Sequence, residues 1–214
     1  MDGLGAGALH EQTRVRLEAY LDLLYRAGSV RNLTRVARDQ AWERHVAESL
    51  SLVPLRDWRP GELVLDLGSG GGLPGIPLAV VMPQIRFVLV ERTQAKAAFL
   101  RWCVAELGLE AVTVEARDAL ELGRDPAGPR AQVVVSRAAA PLPRLLPLVG
   151  PLLRPGGEAL LMVGSSVELS PELAATCARA RLGVPEIVAS AGVRVLRLRR
   201  RRRPAGPPSR RPGL

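Results

Sequence analysis

One segment, residues 62–77, constrains the fold more than any other part of the chain. It reads Glu-Leu-Val-Leu-Asp-Leu-Gly-Ser-Gly-Gly-Gly-Leu-Pro-Gly-Ile-Pro, an apolar run that ends in an acidic residue and passes into a cluster of glycines. Glycine lacks a Cβ atom, so this backbone can adopt positive φ angles and lie close to a ligand. Pro74 suits the first turn of a helix, where its missing N–H costs nothing. The segment therefore predicts a strand, a tight loop and a helix N-terminus, which together form the ligand crevice of an open α/β sheet.

The spacing of the glycines narrows the class of ligand. Gly68, Gly70 and Gly72 form a G-x-G-x-G pattern, whereas the dinucleotide fingerprint is G-x-G-x-x-G. No Lys-Ser/Thr pair follows, as it would in a phosphate-binding P-loop. Asp66, just before the glycines, disfavours a phosphate group and favours a cationic amino-acid moiety. A glycine-rich turn that binds nothing is the alternative for this motif taken alone.

A second acidic residue, Glu91, follows the next apolar run at residues 85–90. A carboxylate about 20 residues beyond the loop can accept hydrogen bonds from both ribose hydroxyls of a nucleoside. Alternatively, Glu91 merely caps the helix that begins near Thr93, where negative charge is favourable. Taken together, Asp66, the glycine loop and Glu91 favour S-adenosylmethionine as the cofactor.

Apolar runs and helical patterns alternate along the rest of the chain. The predicted strands cover residues 62–67, 85–90, 111–115, 131–135 and 157–163, and the predicted helices cover about residues 74–82, 93–108, 141–152 and 169–181. This rhythm predicts an α/β fold with a mostly parallel sheet covered on both faces. Residues 185–190 and 193–198, on either side of Ala191-Gly192, predict a C-terminal antiparallel hairpin.

Two helices are predicted before the sheet, over residues 9–27 and 39–55. We therefore expect an N-terminal helical extension over residues 1–58, a cofactor-binding domain over 59–198 and a tail over 199–214. The tail holds seven arginines and no acidic residue, and without it the net charge falls from +9 to +2. Its four prolines disfavour regular structure. We interpret it as a disordered arm that contacts polyanions, with an inert extension as the alternative.

Length and composition bound the remaining possibilities. The 214 residues are enough for one α/β domain with a sizeable core, and no run of 18 apolar residues predicts a membrane span. The N-terminus lacks the basic-then-apolar pattern of a signal peptide, so we expect a cytoplasmic protein. Cys103, Cys177, His10 and His45 match no metal-ligand spacing, and no metal site is expected. His45 is interpreted as a half-buried surface contact on its helix, with a catalytic role as the alternative.

Several segments resemble the ribosomal RNA small subunit methyltransferase G family. Residues 64–77, with their Leu-Pro-Gly-Ile-Pro extension, closely resemble motif I of that family. The other similar segments are Asn32-Leu33-Thr34, Arg44-His45 with Glu48-Ser49-Leu50, Glu91 with Lys96 and Phe99-Leu100, Val135-Ser136-Arg137-Ala138, and Leu153-Arg154-Pro155-Gly156-Gly157. The resemblance covers about residues 20–165 and implies the Rossmann-like fold of S-adenosylmethionine-dependent methyltransferases.

The resemblance implies a reaction, a partner and a set of site residues. Members of the family transfer a methyl group from S-adenosylmethionine to N7 of a guanine in 16S rRNA. The implied partner is therefore 16S rRNA or the small ribosomal subunit, with the enzyme expected to act as a monomer. Together with the motif reasoning above, the expected cofactor-binding residues are Asp66, Gly68, Gly70, Leu73, Glu91, Asp118, Ala119 and Arg137. No catalytic base is assigned, because N7 carries a free lone pair, and Arg137 is the candidate for substrate positioning.

The chain departs from the family pattern at three places, the first being Ala27-Gly28, where the family has Trp-Asn before Asn-Leu-Thr. Arg117-Asp118-Ala119 stands where the family has Arg-Ala-Glu, and Val163 stands where the family has a lysine. Three alternatives stay open beside the rRNA methyltransferase. They are a methyltransferase with another RNA or a small-molecule acceptor, a non-catalytic relative that binds S-adenosylmethionine or RNA, and a nicotinamide-cofactor protein, which the glycine spacing disfavours.

Overall fold

The computed structural model describes residues 9–137 and 139–202, apart from the side chains of residues 28–31. Ala138 lies outside the described residues. Residues 203–214, which are most of the expected arginine-rich tail, lie outside them as well. Among the helices of this part, none has the length and apolarity that crossing a bilayer requires.

Seven strands form one sheet in the order β3-β2-β1-β4-β5-β7-β6. Their bounds are β1 Leu63–Leu67, β2 Arg86–Val90, β3 Val112–Glu115, β4 Ala131–Arg137, β5 Leu153–Val163, β6 Glu186–Ser190 and β7 Val193–Arg199. Strands β1 to β5 are parallel, β7 is antiparallel to β5, and β6 is antiparallel to β7. The predicted fold class, a mostly parallel sheet with a C-terminal antiparallel hairpin, is confirmed.

Helices cover both faces of the sheet. They are α1 Glu11–Arg31, α2 Glu48–Leu50, α3 Gly75–Val81, α4 Gln94–Glu106, α5 Ala119–Arg124, α6 Leu142–Leu152 and α7 Pro171–Arg179. Successive side chains of a strand point to opposite faces. Val64 of β1 accordingly packs in the core with α1, α3 and α4, whereas Leu65 packs with α5, α6 and α7. The N-terminal helix therefore shares a core with the sheet.

The segment predicted as one helix over residues 39–55 is broken into short turns. A 3₁₀ turn at Arg38–Gln40, a π turn at Trp42–Ala47, α2 and a 3₁₀ turn at Val53–Leu55 follow one another. Ser49 Oγ donates to the His45 carbonyl at 2.5 Å, a side-chain bond that competes with the backbone and bends helices. The irregularity places the side chains of this segment against the end of β4.

The ordered sheet extends past the expected start of the tail at residue 199. Strand β7 ends at Arg199. Beyond it, the Arg200 N–H donates to the Gly157 carbonyl at 2.8 Å, and Arg200 forms an isolated antiparallel β-bridge with Leu182. The cause is that β5 begins at Leu153, so its first residues offer backbone hydrogen-bond partners to residues that follow the predicted hairpin.

Candidate cofactor and substrate site

A cavity of about 670 Å³ opens at the carboxyl ends of β1, β2 and β4. Most of the predicted site residues line it, namely Gly68, Gly70, Leu73, Glu91, Asp118, Ala119 and Arg137. Its size falls within the range of small-molecule sites, about 300–1,000 Å³. Residues that are far apart in sequence thus meet at the edge of the sheet where open α/β folds bind their ligands.

The glycine loop is fixed by backbone bonds to the neighbouring strand. The N–H groups of Gly68 and Ser69 both donate to the Val90 carbonyl, at 2.9 and 3.1 Å. Gly68 has a φ of +69°, and a Cβ atom there would lie 2.5 Å from the Cβ of Ala139. A side chain at this position would therefore strain the backbone and clash with the segment after β4.

The N-terminal helix α1 packs against the glycine loop and hydrogen-bonds to its backbone. The Tyr20 hydroxyl of α1 is buried and donates to the Gly71 carbonyl at 2.8 Å. A Cβ atom at Gly71 would lie 3.0 Å from the Leu24 side chain and 3.2 Å from the Leu33 carbonyl. A larger residue at this position would therefore have to displace α1 or the segment around Leu33 by a few tenths of an ångström.

Glu91 joins the loop to the start of α4. Its Oε2 accepts from the Gly70 N–H at 3.1 Å and its Oε1 accepts from the Thr93 N–H at 2.8 Å. The carboxylate is nearly buried and still lines the cavity. Because a carboxylate offers about four lone-pair sites, Glu91 keeps acceptor capacity toward the cavity. The two sequence interpretations of Glu91 are therefore compatible, since it ties down the chain before the helix and faces the cavity.

Asp66 lies beneath the glycine loop and outside the cavity lining, which corrects its predicted position. It is fully buried, and its Oδ2 accepts from the Gly75 N–H at the start of α3, at 3.1 Å. Within the described residues, Oδ1 has no hydrogen-bond partner. Burial raises the pKa of this carboxyl to about 7. Asp66 acts on the site by holding the turn from the loop into α3.

We expect the Asp66→Asn variant to change how stability depends on pH. With a pKa of about 7 in the folded chain and 3.8 ordinarily, Asp66 takes up a proton on folding between about pH 4 and 7. Its contribution to stability is therefore present below this window and is lost as the pH rises through it. Between these pH values, the unfolding free energy of the wild type should fall by up to about 4 kcal/mol relative to that of the variant. This figure takes about 1.4 kcal/mol for each pKa unit.

Urea unfolding of both proteins across this pH range measures the difference. His45 acts in the opposite direction, because its lowered pKa costs stability as the pH falls from about 6.5 to 4. It is present in both proteins and cancels in the comparison. If the difference in unfolding free energy between the two proteins stays constant from pH 4 to 7, the pKa of the buried Asp66 carboxyl is not raised and the prediction is wrong.

Asp118 caps α5 at the far side of the cavity. Its side chain accepts from the Leu120 N–H at 2.8 Å, the usual bond of an N-cap aspartate. The other oxygen lies 3.7 Å from Arg92 Nη1. Ala119 begins α5, so both residues border the cavity from a helix N-terminus.

Arg137, at the end of β4, is held by the broken helical segment. Its Nη1 donates to the Arg44 carbonyl at 2.7 Å and lies 3.4 Å from Glu48 Oε2, and its Nη2 donates to His45 Nδ1 at 3.1 Å. Burial lowers the pKa of the guanidinium, which remains charged. The Arg-His and Ser-Arg-Ala segments noted in the sequence thus meet at one point.

His45 is a buried partner of Arg137, which corrects its interpretation as a half-buried helix contact. Burial first and the charge of Arg137 second lower its pKa to about 4, so the ring is neutral at pH 7. A guanidinium only donates, so Nδ1 is the acceptor and Nε2 carries the proton. That proton is donated to Thr34 Oγ1, 2.8 Å away. A chain of bonds therefore runs from Thr34 through His45 to Arg137.

Sequence reasoning also missed the basic side chains of the cavity wall. Arg92, Lys96, Arg117 and Arg144 line it together with Arg137. They come from separate elements, and a run of basic residues in the sequence does not mark them. Among the described residues, no group of His, Cys, Asp or Glu could hold a metal ion.

Comparison with known proteins agrees with this geometry. The family model described as rRNA small subunit methyltransferase G matches residues 13–188. Proteins of that name are 41% identical in Sorangium cellulosum and 42% identical in Mycobacterium leprae, covering 72% and 70% of this chain and 65% and 60% of the relatives. This chain therefore aligns with less than two thirds of those two proteins. The Acidiphilium cryptum protein of that name is 37% identical over 95% of this chain and 98% of its own length.

Solved structures share the fold at lower identity. A mutant of MtNAS in complex with S-adenosylmethionine superposes with a TM-score of 0.61 at 17% identity, covering 88% of this chain and 76% of that one. The precorrin-6y C5,15-methyltransferase of Geobacter metallireducens superposes with a TM-score of 0.50 at 16% identity, covering 72% and 87%. Because the family model covers most of the chain and the Acidiphilium cryptum relative matches nearly all of it, the chain belongs to the rRNA small subunit methyltransferase G family.

Proposed function

We propose that the chain transfers a methyl group from S-adenosylmethionine to N7 of a guanine in 16S rRNA. The observation that carries the proposal is the cavity at the strand ends, where a glycine loop bonded to Glu91 faces Arg137 and a basic wall. The family and the names of its members support the reaction class and the rRNA acceptor.

The residues of the cavity fit S-adenosylmethionine. Glu91 would accept from the ribose hydroxyls, and Asp118 and Ala119 border the side where the adenine would lie. A Cβ atom at Gly70 would have just one neighbouring atom within 4 Å, so the loop presents bare backbone to open space. Asp66 holds the turn beneath the glycine loop and does not line the cavity, so it would act on the bound cofactor through the loop. Leu73 supplies an apolar contact.

Bound in this cavity, S-adenosylmethionine supplies an electrophilic methyl group on a sulfonium. The acceptor N7 has a lone pair and no proton, so the chain needs no general base. Its residues then act mainly by alignment, which can supply roughly 7–11 kcal/mol of barrier reduction. Arg137 positions the acceptor, and Arg144, Arg117 and Lys96 attract the phosphates around it.

Positively charged side chains lie near the end of β5, and they support an RNA acceptor although Val163 replaces the family lysine. Arg194 of β7 lies opposite Val163 in the sheet. Its guanidinium donates to the carbonyls of Gly164 and Val167, at 3.3 and 2.7 Å. A smaller cavity of about 280 Å³ is lined by Arg194, Arg137 and Arg44 together with Glu48, so three guanidinium groups surround one carboxylate there. Positive charge is therefore present beside Arg137 without a lysine.

The proposal makes 16S rRNA, free or within the small ribosomal subunit, the partner of a monomeric cytoplasmic enzyme. We expect the purified chain, incubated with S-adenosylmethionine and unmethylated 16S rRNA, to form one 7-methylguanosine. Mass mapping of nuclease fragments locates the modified base, and the Glu91→Ala variant serves as the inactive control. Small-subunit particles in place of free rRNA distinguish the two substrates. Methylation at another atom, or of neither substrate, would contradict the proposal.

A further inference from the structure

A second cavity, of about 590 Å³, lies at the opposite edge of the sheet. It is enclosed by α6, the end of α7 with the residues after it, the end of α5, the segment before β4, and Arg200 just after β7. Four arginines line it, Arg130, Arg179, Arg181 and Arg200, and no carboxylate belongs to the lining. Within residues 9–137 and 139–202, none of the four forms an ion pair with Asp or Glu. We call these residues the arginine cluster.

The two half-buried arginines of the cluster are held by backbone carbonyls. Arg130 donates to four of them, and Arg200 donates to the Leu153 carbonyl. These bonds fix the side chains without neutralising their charge. Burial, followed by the charges of Arg181 and Arg130, lowers the pKa of Arg200. The floor of the cavity therefore carries concentrated positive charge that an anion would stabilise.

The two exposed arginines stand at the rim. Arg179 Nη2 donates to Thr176 Oγ1 at 2.9 Å, in the last turn of α7. Arg181 has a φ of +59°, and its carbonyl accepts from the Arg201 N–H at 3.0 Å. The segment after β7 thus holds the backbone of Arg181 in place. Prolines 143, 147 and 151 make the opposite wall rigid.

We propose that the arginine cluster binds backbone phosphates of RNA at a second contact, away from the methyl-transfer cavity. The inference rests on the proposed function, which supplies a large polyanionic substrate. Strand β5 runs between the two places, from Leu153 beside Arg200 to Met162 and Val163 beside Arg137. The start of β5 bulges, and its parallel partner β4 spans the same distance in the six steps from Ala131 to Arg137, so a rise of about 3.3 Å per residue separates the two places by roughly 20 Å. A folded RNA can reach both, whereas a short oligonucleotide around the target guanine reaches one.

The test compares two double variants that remove equal charge. Arg179→Gln with Arg181→Gln alters the rim of the arginine cluster, and Arg26→Gln with Arg101→Gln removes two exposed arginines from α1 and α4 on the other face of the sheet. Fluorescence anisotropy with a labelled, folded fragment of small-subunit rRNA gives the affinity at several KCl concentrations. We expect the rim variant to bind about tenfold more weakly at low salt and its salt slope to fall by about 2, while the control keeps the wild-type slope.

Each outcome separates the inference from the proposed function. Equal slopes for the rim variant and the control, with normal methylation by the wild type, would overturn the inference alone. A reduced slope with no methyl transfer by the wild type would overturn the proposed function alone. Inorganic phosphate is the second probe. If the rim variant loses thermal stabilisation by phosphate yet keeps the wild-type RNA slope, the cluster binds free phosphate and the inference is wrong.

Discussion

The Glu91→Gln variant is expected to bind S-adenosylmethionine about 10- to 100-fold more weakly than the wild type. Both carboxylate oxygens already accept backbone bonds, from Gly70 and Thr93, and the amide of glutamine can replace one of them at most. The variant therefore loses the charge that faces the proposed ribose and leaves one backbone N–H without its acceptor. Hydrogen bonds to charged groups contribute about 1.5–3 kcal/mol, which corresponds to this factor. Isothermal titration calorimetry measures the affinity.

The matched control is Glu115→Gln, at the end of the neighbouring strand β3 and outside the cavity lining. It removes the same charge from the same edge of the sheet, so its affinity should remain within about threefold of the wild type. Equal affinities for all three proteins would exclude Glu91 from the cofactor site. Circular dichroism of each variant verifies that the fold is intact.

The Arg137→Lys variant is expected to lower kcat for methyl transfer by about 100-fold. Lysine keeps the positive charge but has one ammonium, which cannot reach the Arg44 carbonyl, His45 Nδ1 and Glu48 together as the planar guanidinium does. The charge at the end of β4 then loses its fixed position, and a displacement of about 1 Å can cost 10²-fold in rate. Single-turnover methylation of 16S rRNA measures the effect.

A double-mutant cycle with His45→Gln shows whether the two residues act as a unit. If His45 acts through Arg137, the double variant should be slowed no more than about twofold beyond Arg137→Lys alone. Arg86→Lys, an exposed arginine at the start of β2, is the control and should leave the rate unchanged. A loss confined to S-adenosylmethionine affinity, with a normal rate at saturation, would make Arg137 a cofactor ligand and contradict its role in positioning the acceptor.

The sheet was predictable because the apolar patterns in the sequence mark the buried positions of its strands and of most of its helices. Apolar runs after residue 62 end at Leu67, Val90 and Glu115 much as expected, and the hairpin around Ala191-Gly192 is marked by its turn. Helix α5 was missed because six residues give too few turns for a periodicity, and just Leu122 among them is buried. Asp118, its N-cap, was assigned to the cofactor alone.

The site was predictable where it depends on local sequence. The glycine loop and Glu91 follow directly from strand ends. The position of Asp66 depends on strand alternation, since Leu65 and Leu67 face α5 to α7 and Asp66 points the other way, toward α3. The contact of His45 with Arg137 joins residues 92 positions apart and forms only when the N-terminal segment docks on the sheet. Periodicity carries no information about such a contact.

The placement of β7 inside the sheet has a consequence for synthesis. β6 is made before β7, and within the part of the chain that the structure describes it pairs with β7 alone. β7 in turn covers the open edge of β5. Until Arg199 has left the ribosomal exit tunnel, that edge presents unpaired backbone groups able to recruit another nascent chain. Ribosomes that stall before β7 is complete should therefore yield aggregation-prone, protease-sensitive products, whereas completed chains should have this edge of β5 paired.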